Sequence, residues 1–208
     1  VSASHDLVRR TLAALHGTGG ALLIDLEFTC WEDSLRTNWA DPARPAEVIE
    51  IGLATYRVAA RAVSGSFACL VRPQVNPTLS DYCLDLLHIP QPEIDAAEPL
   101  PIVLSALEGW LRVQPVPDLP TCGWGAMDRV RLARNAAMLG AADPFGQRPH
   151  IDLRAVMAAL FDHPKPIERD ELRVQQNLPP NPRRHRALDD ALDLLHFLPL
   201  LLDATRPL

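Results

Sequence analysis

Residues 21–27, Ala-Leu-Leu-Ile-Asp-Leu-Glu, set two carboxylates at the end of an otherwise wholly apolar run. The run follows Gly19-Gly20 and reads as a buried strand, so positions 25 and 27 project to the same side. Two carboxylates emerging together from a central strand repel each other and lose hydration. A divalent cation relieves both penalties, and hard carboxylate oxygens suit Mg²⁺ or Mn²⁺. Two solvated acids at a strand end are the plain alternative, and the tripeptide does not separate the readings. A strand this apolar needs a core around it. With 208 residues, 48% of them hydrophobic and 22% charged, the chain builds one domain of ordinary size.

The rest of the chain supplies partners for that strand. Glu47 to Tyr56 is β-branched and apolar, and Ser66 to Val71 reads as a third strand, close enough to form an antiparallel meander. Residues 28–45 read as a loop containing Pro42 and Pro45. The periodicity then predicts helices over 79–87, 101–113, 128–139 and 154–161, with short strands at 119–122 and 150–153. After a Pro-rich loop a last helix is expected over 187–198, interrupted by Pro199. Three strands followed by alternating helix and strand give an α/β fold, a mixed five-stranded sheet flanked by helices. Residues 1–20 are expected as a helical or flexible extension, and residues 21–208 as the single domain.

Two further stretches carry candidate chemistry. His185-Arg186-Ala187-Leu188-Asp189-Asp190 opens the last helix. There Leu188, Ala191, Leu192, Leu195 and Leu198 form an apolar stripe with Asp190 at its edge, while Asp189, Asp193 and His196 fall on a polar face. Asp190 is therefore the expected half-buried acid, with His185 one turn before it. Cys122-Gly123-Trp124-Gly125-Ala126-Met127-Asp128 runs from a strand end through two glycines to an acid in the first turn of a helix. The helix macrodipole alone accounts for an Asp there, by about 0.3–1 kcal/mol; a fourth carboxylate aimed at the same site is the sharper reading. Sequence spacing leaves both open.

Asp-x-Glu on the first strand, Asp in the middle and His-x-Ala-x-x-Asp opening the final helix resemble the DEDDh superfamily of 3′→5′ exonucleases, which share the ribonuclease-H-like fold. Within it the chain is most similar to the Eri-type exoribonucleases. The resemblance spans about residues 21–198. It rests on Asp25 to Glu32, Glu47 to Gly52, Val71-Arg72-Pro73, Leu79 to Cys83, Gly123 to Asp128 and His185 to Asp190. It implies that Asp25, Glu27, Asp128 and Asp190 hold two divalent cations, Mg²⁺ or Mn²⁺, and that His185 is the general base. It also implies that Phe28, Thr29, Tyr82 and Met127 lie against the terminal nucleotide. The family's Leu-Thr-Gly-Ile is replaced here by Leu86-Leu87-His88-Ile89, and Met127 stands where animal relatives often carry Trp.

The activity so implied is hydrolysis of the last phosphodiester at single-stranded 3′ ends, RNA before DNA, releasing nucleoside 5′-monophosphates. A non-catalytic binding module on the same fold, or a mainly DNA-directed enzyme, are the alternatives. The net charge of −6 argues against a protein that coats nucleic acid by general positive charge. Arg129, Arg131, Arg183, Arg184 and Arg186 flank the motifs and are candidates for the phosphate backbone, with solvated surface as the plain alternative. Cys30, Cys69, Cys83 and Cys122 are scattered, without a Cys-x-x-Cys pair, which reads as reduced thiols in the cytoplasm. No secretory leader follows Val1, and no apolar run is long enough to span a membrane. Nothing in the sequence speaks to an oligomeric state.

Overall fold

The computed structural model describes residues 3–114 and 118–204. Five strands form one sheet in the order β3-β2-β1-β4-β5: β1 (Gly20–Phe28), β2 (Val48–Arg57), β3 (Ala62–Leu70), β4 (Thr121–Gly123) and β5 (His150–Asp152). The first three pair antiparallel, and β4 and β5 add on parallel. The mixed α/β sheet is as the sequence predicts. β3 begins four residues earlier than expected, because Ala62 and Val63 pair with Arg57 and Tyr56 beyond a register shift.

Helices cover both faces. On one, α1 (Ala3–Thr18), α7 (Leu153–Leu160), α9 (Ala187–Asp193) and α10 (Leu198–Leu202) bury Val8, Leu15, Leu23, Ala54, Met157 and Phe197 together. α1 is thus helical but no appendage, since Val8 and Leu15 are fully buried in the main core. On the other face, α5 (Leu100–Arg112) and α6 (Met127–Met138) pack Leu104, Leu107 and Leu132 on Leu22, Ile24 and Leu53. A smaller core of Cys30, Ile49, Cys83 and Ile94 lies under α3 (Asp81–Leu87) and α4 (Gln91–Asp95). Two short helices, α2 (Ser34–Thr37) and α8 (Arg169–Gln175), fall where loops were expected. The last helix is broken: a 3-10 turn over Leu194–His196 separates α9 from α10, and Pro199 sits in the first turn of α10, where its missing N–H costs nothing.

Two features bring the final helix to β1. Asp25 lies opposite Gly52, and Glu27 opposite Glu50, so these four residues share one face. A Cβ at Gly52 would lie 2.2 Å from Ala187 C and Leu188 N, so only glycine lets the start of α9 rest there. Beside it, the Glu50 carboxylate accepts the Ala187 N–H at 3.1 Å and pairs with the Arg186 guanidinium at 3.0 Å. At the end of α3, His88 takes the left-handed conformation (φ 54°) at the position of the family's glycine and donates its N–H to Leu84 O, so the turn survives the replacement.

Candidate active site

The four acids and the histidine come together at the C-terminal end of β1. Asp25 and Glu27 stand on the same face of the strand, as their alternation requires. Asp128, in the first turn of α6, reaches over the sheet end and accepts the Leu26 backbone N–H. Asp190 in α9 is 2% exposed, and its Oδ2 accepts the His185 N–H at 2.8 Å. Ligand atoms of Glu27, His185 and Asp190 lie within 4.8 Å of one another. Asp25 and Asp128 line the adjoining cleft with Trp124 and Arg169.

The charges show what this costs. Burial holds the Asp25 carboxyl well above the usual carboxylate range, and the charges of Asp128, Glu27 and Asp190 push it further up. Glu27 is raised by burial, then by Asp190, Glu50 and Asp128. Asp128 is pushed up to about 7, mainly by burial, with Arg131 and Arg169 pulling the other way. Negative charge is gathered here in excess of the cations nearby. Burial lowers the His185 imidazole against the pull of Asp190, which keeps it neutral at neutral pH. Hard oxygens, closely spaced and short of positive charge, fit a divalent cation.

The family model described as Exonuclease (RNase_T) matches residues 22–198. The chain belongs to the exonuclease family. ERI1 exoribonuclease 2 of Danio rerio is 36% identical over 91 residues, 44% of this chain but 15% of that protein. The 3'-5' exonuclease Snipper of Drosophila melanogaster is 25% identical over 189 residues, 83% of this chain and 66% of that protein. This exonuclease domain therefore spans only part of those relatives' length. The nuclease domain of 3'hExo, a DEDDh family member bound to rAMP, superposes with a TM-score of 0.76 at 21% identity, covering 90% of this chain and 93% of that one. A likeness at that identity speaks for the shared ribonuclease-H-like fold.

The other expected site residues of this family member differ in exposure. Tyr82 and Met127 are exposed, 36% and 44%, and line two separate pockets. Phe28 is buried, with the Arg131 guanidinium 5.2 Å from its ring centroid. Thr29 is buried, and its hydroxyl donates to Pro45 O and accepts the Glu47 N–H. Asp193, expected on the polar face, is 5% exposed and paired with Arg173, because the unforeseen α8 covers it. Four of the five flanking arginines are committed to carboxylates: Arg129 to Asp143 (3.1 Å), Arg183 to Asp189 (3.4 Å), Arg184 to Asp170 (2.6 Å) and Arg186 to Glu50.

The structure adds three positioning residues. Arg169 of α8 donates to Asp190 Oδ1 at 2.7 Å, and Asn181 donates to the same oxygen at 2.9 Å. His150 on β5 bridges Thr121 Oγ1 (2.9 Å) and Gly125 O (2.8 Å), which fixes the turn that leads to Asp128. A carbonyl can only accept, so Nε2 carries the proton and Nδ1 receives the Thr121 hydroxyl. Nothing in local sequence marks these three, because each acts across the fold.

Proposed function

We propose that this family member is a metal-dependent 3′→5′ exonuclease acting on single-stranded RNA ends. The observation that carries the reading is the convergence of Asp25, Glu27, Asp128, Asp190 and His185 from three separated stretches on one strand end. Human 3'-5' exoribonuclease 1, 30% identical over 92 residues, supports RNA as the substrate class.

The family works with divalent metal ions, and we assign two, Mg²⁺ or Mn²⁺, to this site. When bound, they would supply the positive charge that draws in the scissile phosphate and stabilises the oxygens entering and leaving it. Asp25, pressed by all three other acids, would hold the ions together with Glu27, Asp128 and Asp190. An imidazole nitrogen of neutral His185 takes the proton of the attacking water. The P–O3′ bond then breaks, the shortened strand recovers its 3′ hydroxyl by protonation, and a nucleoside 5′-monophosphate leaves. Asp190 holds the His185 backbone through its Oδ2, while Arg169 and Asn181 fix Oδ1. The cytoplasmic setting is part of the same proposal and rests on four unpaired thiols.

The test is turnover of matched RNA and DNA oligomers with Mg²⁺, with Mn²⁺ and with EDTA, and product identification. Release of 5′-mononucleotides from RNA, abolished by EDTA and by Asp25→Ala, is expected. Robust cleavage in EDTA refutes the mechanism, faster DNA cleavage reverses the substrate order, and tight binding without turnover turns the site into a recognition module.

A further inference from the structure

Arg131 is the one motif-flanking arginine that forms no ion pair among the described residues, its charge facing Asp128 without contact, and its neighbour Arg134 forms none either. Arg131 is half-buried beside Asp128, its guanidinium 4.1 Å from the centre of the Trp39 ring and 5.2 Å from that of Phe28. Of its five N–H groups, one donates to Asn38 Oδ1 at 3.1 Å. A planar cation clamped between aromatic rings with N–H groups to spare is a receptor for an oxyanion.

The loop that presents Trp39 is built against its own preference. Asn38 and Trp39 both have positive φ, 50° and 53°, a conformation a bulky side chain adopts only when its surroundings impose it. Here they do. The indole N–H donates to Thr29 O at 2.7 Å, and the Trp39 backbone N–H donates to Ser34 O at 3.2 Å. Trp39, Pro45, Met127, Arg131, Arg134 and Met138 surround a cavity of about 200 Å³. Met127 and Met138 are 44% and 51% exposed, and Met127 adjoins Asp128 in sequence, so two arginines and an exposed apolar surface share one pocket.

Resting on the nuclease reading above, we propose that Trp39, Arg131 and Arg134 form a subsite for the strand on the 5′ side of the scissile linkage. The arginines hold an internucleotide phosphate, and a base lies on the Trp39 ring. Charge sets the polarity. Beyond the scissile phosphate the terminal nucleoside carries no further phosphate, so its side of the cleft needs no cation. The Tyr82 side fits that description: it is lined by Glu32, Asp33, Asp81 and Asp85, and its Arg44 is taken by Asp33 and Asp41. The internucleotide phosphates belong instead with Arg131 and Arg134, whose pocket is lined by no carboxylate.

The experiment compares kcat/KM for a pentanucleotide with that for thymidine 5′-(p-nitrophenyl) phosphate, which supplies a terminal nucleotide and nothing upstream. In Arg131→Gln and Arg134→Gln the ratio of oligomer to ester should fall about tenfold or more, through KM. The slope of log kcat/KM against log salt should become shallower by about 0.7 for each phosphate contact removed. Trp39→Ala should lower the same ratio about 5- to 100-fold by loss of stacking. Arg134 is exposed, so its variant keeps the test valid should Arg131→Gln unsettle the loop. An unchanged ratio, or oligomer and ester falling together, overturns the subsite. Absence of turnover on both substrates by the unaltered protein refutes the nuclease reading instead. Anisotropy with a labelled oligonucleotide then decides the subsite, and equal affinity of parent and Arg134→Gln rejects it.

Discussion

Asp128→Asn should make the metal-free protein more stable while destroying its hold on cations. The Asp128 carboxyl is pushed up to about 7 from an ordinary 3.8. The folded state therefore binds this proton more tightly than the unfolded chain does, and the stability it contributes is present below 3.8 and lost as pH rises toward 7. At pH 8, ionising it in the fold costs about 4 kcal/mol, at about 1.36 kcal/mol per factor of ten. At pH 5 the cost is about 2 kcal/mol, that of drawing a proton from solution. Asparagine keeps the volume and an oxygen for the Leu26 N–H without the charge. In EDTA at pH 8 the variant should gain about 2–4 kcal/mol, a rise in Tm of about 4–16 °C for a chain of this size. The gain should halve at pH 5, and excess Mn²⁺ should stabilise the parent alone. Thermal melts in the three conditions decide it. A variant that melts at or below the parent in EDTA at pH 8 would show that Asp128 is compensated, and the crowded-acid account of the site would fail.

Arg169→Gln leaves Asp190 buried without its cation and should cost about 3–5 kcal/mol in EDTA, with part recovered in Mn²⁺; urea melts with and without the ion report it, and a neutral effect contradicts the pairing. Gly52→Ala drives a Cβ into the first turn of α9 and should cost about 3 kcal/mol or more, with a fall in turnover as His185 and Asp190 shift. Parent-like melting and activity would show that α9 is not seated there. His185→Ala should lower kcat about 10²–10⁴-fold. In the parent, burial lowers the His185 pKa and the base form is the working one, so activity should rise with pH along an acid limb below 6.5 that the variant lacks. An acid limb above 6.5 in the pH–kcat profile rejects His185 as the base.

What the sequence makes legible follows from range. The Asp25–Glu27 pair and the β-branched second strand are local patterns, and alternation along a strand places both carboxylates on one face whatever else the chain does. The burial of Asp190 is similarly local, although the true stripe is centred on Ala187, Ala191 and Leu194, rotated toward Asp190 because β2 lies on that side. Asp193 was illegible for the opposite reason. Its burial depends on Arg173, carried by a seven-residue helix too short to show an apolar stripe. Thr29 looks like a site residue by its neighbours, yet its hydroxyl is spent on Pro45 and Glu47, contacts that appear only once the 28–45 loop closes on itself. The arginines behave in the same way. Five are equivalent by position, and only folded pairing separates four scaffold cations from Arg131.

The same molecule holds acids of two kinds, fully buried and half-buried, and the contrast distinguishes a site from a scaffold. Glu47 is 2% exposed and receives the backbone N–H groups of Gln74, Val75 and Asn76. Glu50 is bound by Arg186 and caps α9, and Asp193 is bound by Arg173. Each has its charge answered by donors that the fold puts in place, and each fixes a joint on which the site depends. Asp25, Glu27 and Asp128 meet one another instead, with only Arg131 and Arg169 to offset them and Arg169 paired to Asp190. A fold able to satisfy three buried acids so fully sets three half-buried ones against one another at a single strand end, at a cost on the order of several kcal/mol in the absence of a cation. That opposition is the physical argument that a divalent cation completes them.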